Sequence, residues 1–151
     1  MAKDNETGAK PDLSARLAHA LPRLTPEQIA QVSPKLKRVT FAAGEVIIRQ
    51  DDQPERFYIM VRGEAEVSHK TASGSLRVVD IRRPGESFGE IGILKNRPRT
   101  ATVTASSAGP VEVLALERDD FVDLIQTSRA TETQVTQDLI QRMIRLASFQ
   151  D

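Results

Sequence analysis

The chain has 151 residues, and its 21 Lys and Arg are balanced by 21 Asp and Glu, so the formal net charge is zero with histidine neutral. That length supports one domain with helical extensions, and the balance gives no sign of a general nucleic-acid or acidic-membrane binder. There is no cysteine, which excludes disulfides, thiolate chemistry and cysteine–zinc sites, and two histidines, His19 and His69, are too few for a histidine-rich metal centre.

Residues 1–11 carry charged and turn-forming side chains with almost nothing to bury, and read as a disordered lead-in. They lack the apolar core of a secretion signal, and no apolar run approaches the roughly 20 residues that span a bilayer. A cytoplasmic protein is expected. Leu13, Leu17 and Leu21 then recur at helical spacing, which predicts a short amphipathic helix limited by Pro22. Thr25-Pro26-Glu27-Gln28 predicts a second helix: Thr25 caps, Pro26 takes the first position, and Gln28 reaches back. Ile29 and Val32 form its buried face, and Pro34 ends it.

From Val39 to Leu116 the period changes to two. Phe57, Ile59 and Val61 share a strand face. Ala65 and Val67 alternate with Glu64, Glu66 and Ser68; Ala101, Val103 and Ala105 alternate with threonines; Val111, Val113 and Ala115 share another face. Ala72-Ser73-Gly74-Ser75 reads as a hairpin tip. Regular short strands between turn residues predict a β-sandwich, roll or barrel. After Leu116 the helical period returns. Phe121, Leu124 and Ile125 mark one helix, and a longer one runs from about Ala130 to Phe149 with an apolar stripe wider than one packing face needs. That breadth also suits a homodimer through the C-terminal helix.

The stretch from Pro84 to Val103 interrupts the strand pattern. Phe88 closes a strand, Gly89 permits a tight backbone, and Glu90 to Leu94 can form one helical turn whose first N–H groups are free to meet an anion. Arg99 offers a planar, permanently charged fork for a phosphate, and Glu90 offers an acceptor suited to ribose hydroxyls. An acceptor, an anion hole and a cation in one short loop match a small phosphorylated sugar.

Phe88-Gly89-Glu90 followed by Arg99-Thr100-Ala101-Thr102-Val103 resembles the phosphate-binding cassette of cyclic nucleotide-binding domains. That is the family of the catabolite activator protein, the regulatory subunits of cAMP-dependent kinase and the cyclic-nucleotide-gated channels. Phe41 to Ile47, Phe57-Tyr58 and Gly63 resemble the family's upstream strand and turn residues, and the likeness spans roughly residues 12–149.

The resemblance implies a mainly β fold with flanking helices. Its centre is an antiparallel β-roll (a jelly-roll-like double-stranded β-helix), joined by N-terminal helices, a short cassette helix and two C-terminal helices. It divides the chain into a lead-in at 1–11, a helical segment at 12–36, a β-roll at 37–117 with the cassette at 84–103, and C-terminal hinge and lid helices at 118–151. It also implies that Glu90 binds the ribose 2′-hydroxyl and that Arg99 pairs with the exocyclic oxygens of the cyclic phosphate. Ile91 and Gly92 add backbone N–H groups, and Thr100 and Ala101 lie against phosphate and base. Gly92 departs mildly from the alanine usual there. A lid helix would bring Ile140, Arg142, Met143 or Ile144 onto the base, an arginine there adding cation–π contact.

The expected function is a sensor that binds cAMP, or cGMP, and signals occupancy by movement of the C-terminal helix. No catalytic residue, metal or cofactor is assigned, and no membrane insertion is expected. Arg82, Arg83 and Arg97 read as solvated charges, His19 and His69 as surface or core-edge residues, and Tyr58 and Met60 as core. Four rival readings are a DNA-binding regulator, a cupin-like catalyst, a β-roll that has lost its ligand and serves as an interaction module, and a regulatory fragment of a larger channel, kinase or transporter. The first would need a helix-turn-helix after the long helix, where this chain ends, and the second would need metal ligands.

Overall fold

The computed structural model of the chain describes residues 3–5, 10–95 and 98–147. Helix α1 (Lys10–Ala20) and helix α2 (Pro26–Val32) come first, preceded by a short strand β1 (Lys3–Asn5). Leu13, Leu17 and Leu21 are all buried, as their spacing predicts. The capping box of α2 forms in both directions: Gln28 N–H donates to Thr25 Oγ1 at 3.2 Å, and Thr25 N–H donates to Gln28 Oε1 at 2.8 Å. Helix α2 stops at Val32, and a 3₁₀ turn over Ser33–Lys35 holds Pro34.

Eight further strands follow. They are β2 (Lys37–Phe41), β3 (Val46–Ile48), β4 (Arg56–Arg62), β5 (Ala65–Lys70), β6 (Leu76–Arg82), β7 (Ser87–Phe88), β8 (Thr102–Ala105) and β9 (Val111–Glu117). Helix α3 (Glu90–Lys95) lies between β7 and β8, and α4 (Arg118–Thr127) and α5 (Arg129–Ala147) close the chain. All strand pairings are antiparallel. One sheet runs β1-β2-β9-β4-β7 and the other β3-β8-β5-β6, the arrangement of a β-roll. The hairpin tip is where the sequence puts it, with Thr71 N–H donating to Ser75 O at 2.7 Å.

Residues 3–5 correct the reading of 1–11 as a disordered lead-in. They pair with β2, Lys3 opposite Thr40 and Asn5 opposite Arg38. An added edge strand is held by main-chain hydrogen bonds, so it needs no apolar side chains of its own and leaves no hydrophobic signal.

Strands β4 and β9 are buried on both faces. Tyr58 and Met60 of β4, with Val111, Val113 and Ala115 of β9, belong to the core inside the roll. Phe57, Ile59 and Val61, with Leu114 and Leu116, belong to a second core that also holds α1, α2, α4 and α5. The continuous apolar run Phe57–Val61 is what a strand covered on both sides requires. Phe57 and Phe121 stack at 4.5 Å between ring centroids and fix α4 on the sheet. Gly63, at φ +85°, closes the β4–β5 turn where an added Cβ would clash with Pro110 O, so no side chain fits there.

Among the described residues, no helix is long and apolar enough to cross a membrane, and no group of three or more His, Cys, Asp or Glu could hold a metal ion. Two substitutions test this packing by denaturant unfolding. Phe121→Ala should cost about 3–5 kcal/mol, because the cavity opens in the core shared by sheet and helices. Gly63→Ala should cost about 1–3 kcal/mol or more, from left-handed backbone strain added to the clash.

Candidate functional site

The site is assembled around the end of β7. Phe88 lies opposite Tyr58 across the β4–β7 pair, and the two rings stack at 5.0 Å with planes 17° apart. Both side chains are buried, so the register of β7 is held firmly. Gly89 follows at φ +95°, and α3 begins at the next residue. An added Cβ at Gly89 would meet Arg56 O at 2.8 Å and Arg99 Nη1 at 3.3 Å. Glycine is therefore needed twice over, for the backbone angle and for the close approach.

Arg99 fills the space that Gly89 leaves. It is buried, with 6% of its surface exposed. Its Nη1 donates a short hydrogen bond to Gly89 O, and its Nη2 donates to Arg56 O at 2.7 Å. Its backbone is clamped as well: Arg99 N–H donates to Asp52 O and Asp51 N–H donates to Arg99 O, each at 2.8 Å. Asp51 itself sits at φ 76°, a left-handed conformation that aspartate tolerates better than most residues. Burial pulls the Arg99 pKa below its ordinary value, while the nearby Tyr58 hydroxyl and the carboxylates of Glu90, Glu55 and Asp52 oppose that pull. Burial likewise raises the pKa of the Tyr58 phenol beside it. The guanidinium remains a cation at neutral pH, since arginine is not deprotonated in proteins.

A cavity of about 510 Å³, counting its open mouth, adjoins this fork. Of the residues singled out from the sequence, Phe88, Gly89, Gly92, Arg99, Thr100 and Ala101 line it. Glu90 opens α3 and is 2% exposed, but it is not among the lining residues. Its relation to the site is electrostatic, through its charge near Arg99. Ile91 lies in the first turn of α3, and its side chain is outside the described residues. Ile140, Arg142, Met143 and Ile144 all lie on α5, with side chains likewise outside the described residues. Val135 of α5 is buried in the helix-side core, consistent with a packing role.

Sequence reasoning missed five lining residues: Ile48, Val67, Asp80, Arg82 and Val103. It also misplaced Arg82, which is 6% exposed and pairs with Asp80 at 2.8 Å instead of being solvated. Its neighbour Arg83 does face solvent, near Glu64 at 3.5 Å. Arg82 is the last residue of β6 and shares the face of Asp80, whereas Arg83 lies past the end of the strand. The available signal was the opposite charges of Asp80 and Arg82, two residues apart and so on one strand face.

The fold is shared with known proteins. A family model of the cyclic nucleotide-binding domain matches residues 38–128. The cAMP-dependent protein kinase regulatory subunit of Dictyostelium discoideum is 44% identical over 89 residues, covering 57% of this chain and 27% of that protein. Among solved structures, the regulatory domain of Toxoplasma gondii PKA co-crystallised with cAMP matches with a TM-score of 0.73 and 30% identity, over 80% of this chain and 46% of that one. The Thermus thermophilus catabolite activator protein matches with a TM-score of 0.69 and 27% identity, over 88% of this chain and 60% of that one. The chain spans about a quarter of the length of the Dictyostelium relative. A family match over more than half of the chain, on a β-roll with a buried arginine behind its cassette helix, makes this chain a member of the cyclic nucleotide-binding domain family.

Proposed function

We propose that the chain is a regulatory module that binds cAMP in the cavity beside Arg99 and reports occupancy by moving α5. The observation that carries this reading is the buried Arg99 guanidinium, fixed through two carbonyls at the wall of a cavity that Gly89, Gly92, Thr100 and Ala101 also line. Two of its five N–H donors are spent on those carbonyls, leaving capacity for the exocyclic phosphate oxygens. Ile91 and Gly92 supply backbone N–H groups to the same anion, and Thr100 and Ala101 lie along it. Glu90 takes the ribose 2′-hydroxyl by turning its carboxylate toward the cavity. The relatives named for cAMP support adenine as the base, with cGMP as the competing ligand.

Binding energy is sufficient for such a ligand. Hydrogen bonds to charged groups contribute about 1.5–3 kcal/mol each, and micromolar affinity needs about 8 kcal/mol net. The arginine fork, the glutamate and the backbone donors, with burial of the base, reach that sum.

The route from ligand to helix runs through α3. Ile93, in the middle of α3, is 4% exposed and sits in the helix-side core with Phe121, Leu124 and Ile125 of α4 and Val135 of α5. A shift of α3 on phosphate binding therefore displaces side chains that hold α4 and α5. Closing α5 over the base would bring in one of Ile140, Arg142, Met143 or Ile144. The device is a population shift: the ligand must favour the closed state, and carrying it from 1:99 to 99:1 needs about 5.5 kcal/mol of differential binding. The domain then acts on an effector whose identity lies outside these residues.

Calorimetry should give saturable binding of cAMP, tighter than that of cGMP. Arg99→Ala should weaken cAMP by about two to three orders of magnitude, and Arg99→Lys, which keeps the charge but loses the fork, by about one to two. Undiminished cAMP affinity in a folded Arg99→Ala protein overturns the assignment. Gly89→Ala should weaken binding about tenfold or more, since its Cβ displaces the Arg99 fork. The chain has no native cysteine, so spin labels at Ser73→Cys and Gln141→Cys report on helix movement directly. Their distance distribution should change when saturating cAMP is added.

A further inference from the structure

Asp80 and Arg82 form an ion pair in the wall of the same cavity, and neither belongs to the loop that holds phosphate and ribose. Both lie on β6, two residues apart and on one strand face. Their side chains are 13% and 7% exposed. Arg82 Nη2 donates to Asp80 Oδ2 at 2.8 Å, and Asp80 Oδ1 accepts from Ile81 N–H at 2.9 Å. The remaining bond of the guanidinium, from Nη1 to Ser87 O, is long at 3.5 Å. Arg82 Nε–H is buried with no partner among the described residues.

Such a pair does little for the fold. Buried ion pairs lose about as much in desolvation as they gain in attraction, and a buried donor left unmade is a further cost. Placed in a cavity wall, the same groups are a recognition surface whose bonds are completed by a ligand.

Their position indicates which part of the ligand they meet. Val67 of β5 lies opposite Asp80 on one side and Val103 of β8 on the other, and all three line the cavity. Asp80 is thus two strands, or about 10 Å, across the sheet from the strand that Arg99, Thr100 and Ala101 lead into. With phosphate at Arg99, the far end of a nucleoside cyclic phosphate is its base.

We propose that Asp80 and Arg82 read the edge of the purine that carries N7 and the 6-substituent, and select a 6-amino over a 6-oxo purine. This rests on the cyclic-nucleotide reading of the cavity given above. Arg82 donates to N7, an acceptor present in both adenine and guanine. Asp80, an acceptor-only group when ionised, receives the adenine 6-amino N–H and opposes the 6-carbonyl of guanine. Arginine alone would favour guanine by bridging O6 and N7, but Asp80 occupies one arm of the fork and places a negative charge where O6 would lie.

The test compares four 3′,5′-cyclic nucleotides by calorimetry: those of adenosine, guanosine, inosine and 7-deazaadenosine. The inosine nucleotide differs from cAMP only at the 6-position and the adjoining N1 proton, and the 7-deaza analogue lacks only the N7 acceptor. A base contact of this kind is worth roughly 5- to 150-fold in affinity. The unmodified protein should therefore bind cAMP about tenfold or more tightly than the inosine nucleotide, and about fivefold or more tightly than the 7-deaza analogue. Asp80→Asn, whose amide can donate to a 6-carbonyl, should bring the cAMP-to-inosine ratio to within about threefold of unity while leaving the 7-deaza penalty in place. If cAMP binds but is not distinguished from either analogue, or if a folded Asp80→Asn keeps the native ratio, the base-reading assignment is wrong and the cavity reading stands. If none of the four binds, both fail. If Asp80→Asn does not fold, the two analogues on the unmodified protein decide the matter.

Discussion

The guanidinium of Arg99 is the constraint on which the site depends. It joins the carbonyl of Arg56 at the start of β4, 43 residues away, to the carbonyl of Gly89 at the turn into α3 and to its own position before β8. A buried cation is tolerated only when it is hydrogen-bonded and has negative charge nearby, and both conditions are met here. The backbone clamp at Asp51 and Asp52 removes the remaining freedom of the loop. Gly89 is the complement of this arrangement, because any side chain there would occupy the space of the fork. The proposed anion site and the local fold thus draw on the same contacts.

The double burial of β4 and β9 explains how a ligand inside the roll can matter outside it. One sheet serves two cores, and each strand contributes alternate residues to them. Tyr58 faces inward and stacks on Phe88, while Phe57 and Ile59 face the helices. Helix α3 bridges the two environments, with Gly92 at the cavity and Ile93 in the helix-side core. Close-packed cores transmit small displacements, so the cassette helix is mechanically linked to α4 and α5.

The pair Asp80–Arg82 gives the cavity two chemically distinct ends. A buried ion pair with a donor that has no partner among the described residues is poorly explained as a stabilising element and well explained as part of a binding surface. Its cost in stability is the kind that functional sites commonly carry. On the proposed reading, phosphate is held at the Arg99 loop and the base is read from β6, an edge strand of the other sheet.

Much of this was legible from residues alone, and the boundary has a physical basis. The leucine stripe of α1, the Thr25–Gln28 capping box, the apolar run of β4 and the Phe88 to Val103 loop are local patterns, set by repeat lengths and by bonds between near neighbours. The inward turn of Arg82 beside an outward Arg83, the pairing of residues 3–5 with β2, and the meeting of Val67, Asp80 and Arg99 around one cavity are not local. They depend on register between strands tens of residues apart, and a one-residue change of register reverses every side chain in a strand. The sequence by itself therefore determined the elements and the loop that carries Gly89, Glu90 and Arg99. Only tertiary pairing decided which charges were enclosed with them, because burial belongs to the assembled sheets and not to any single segment.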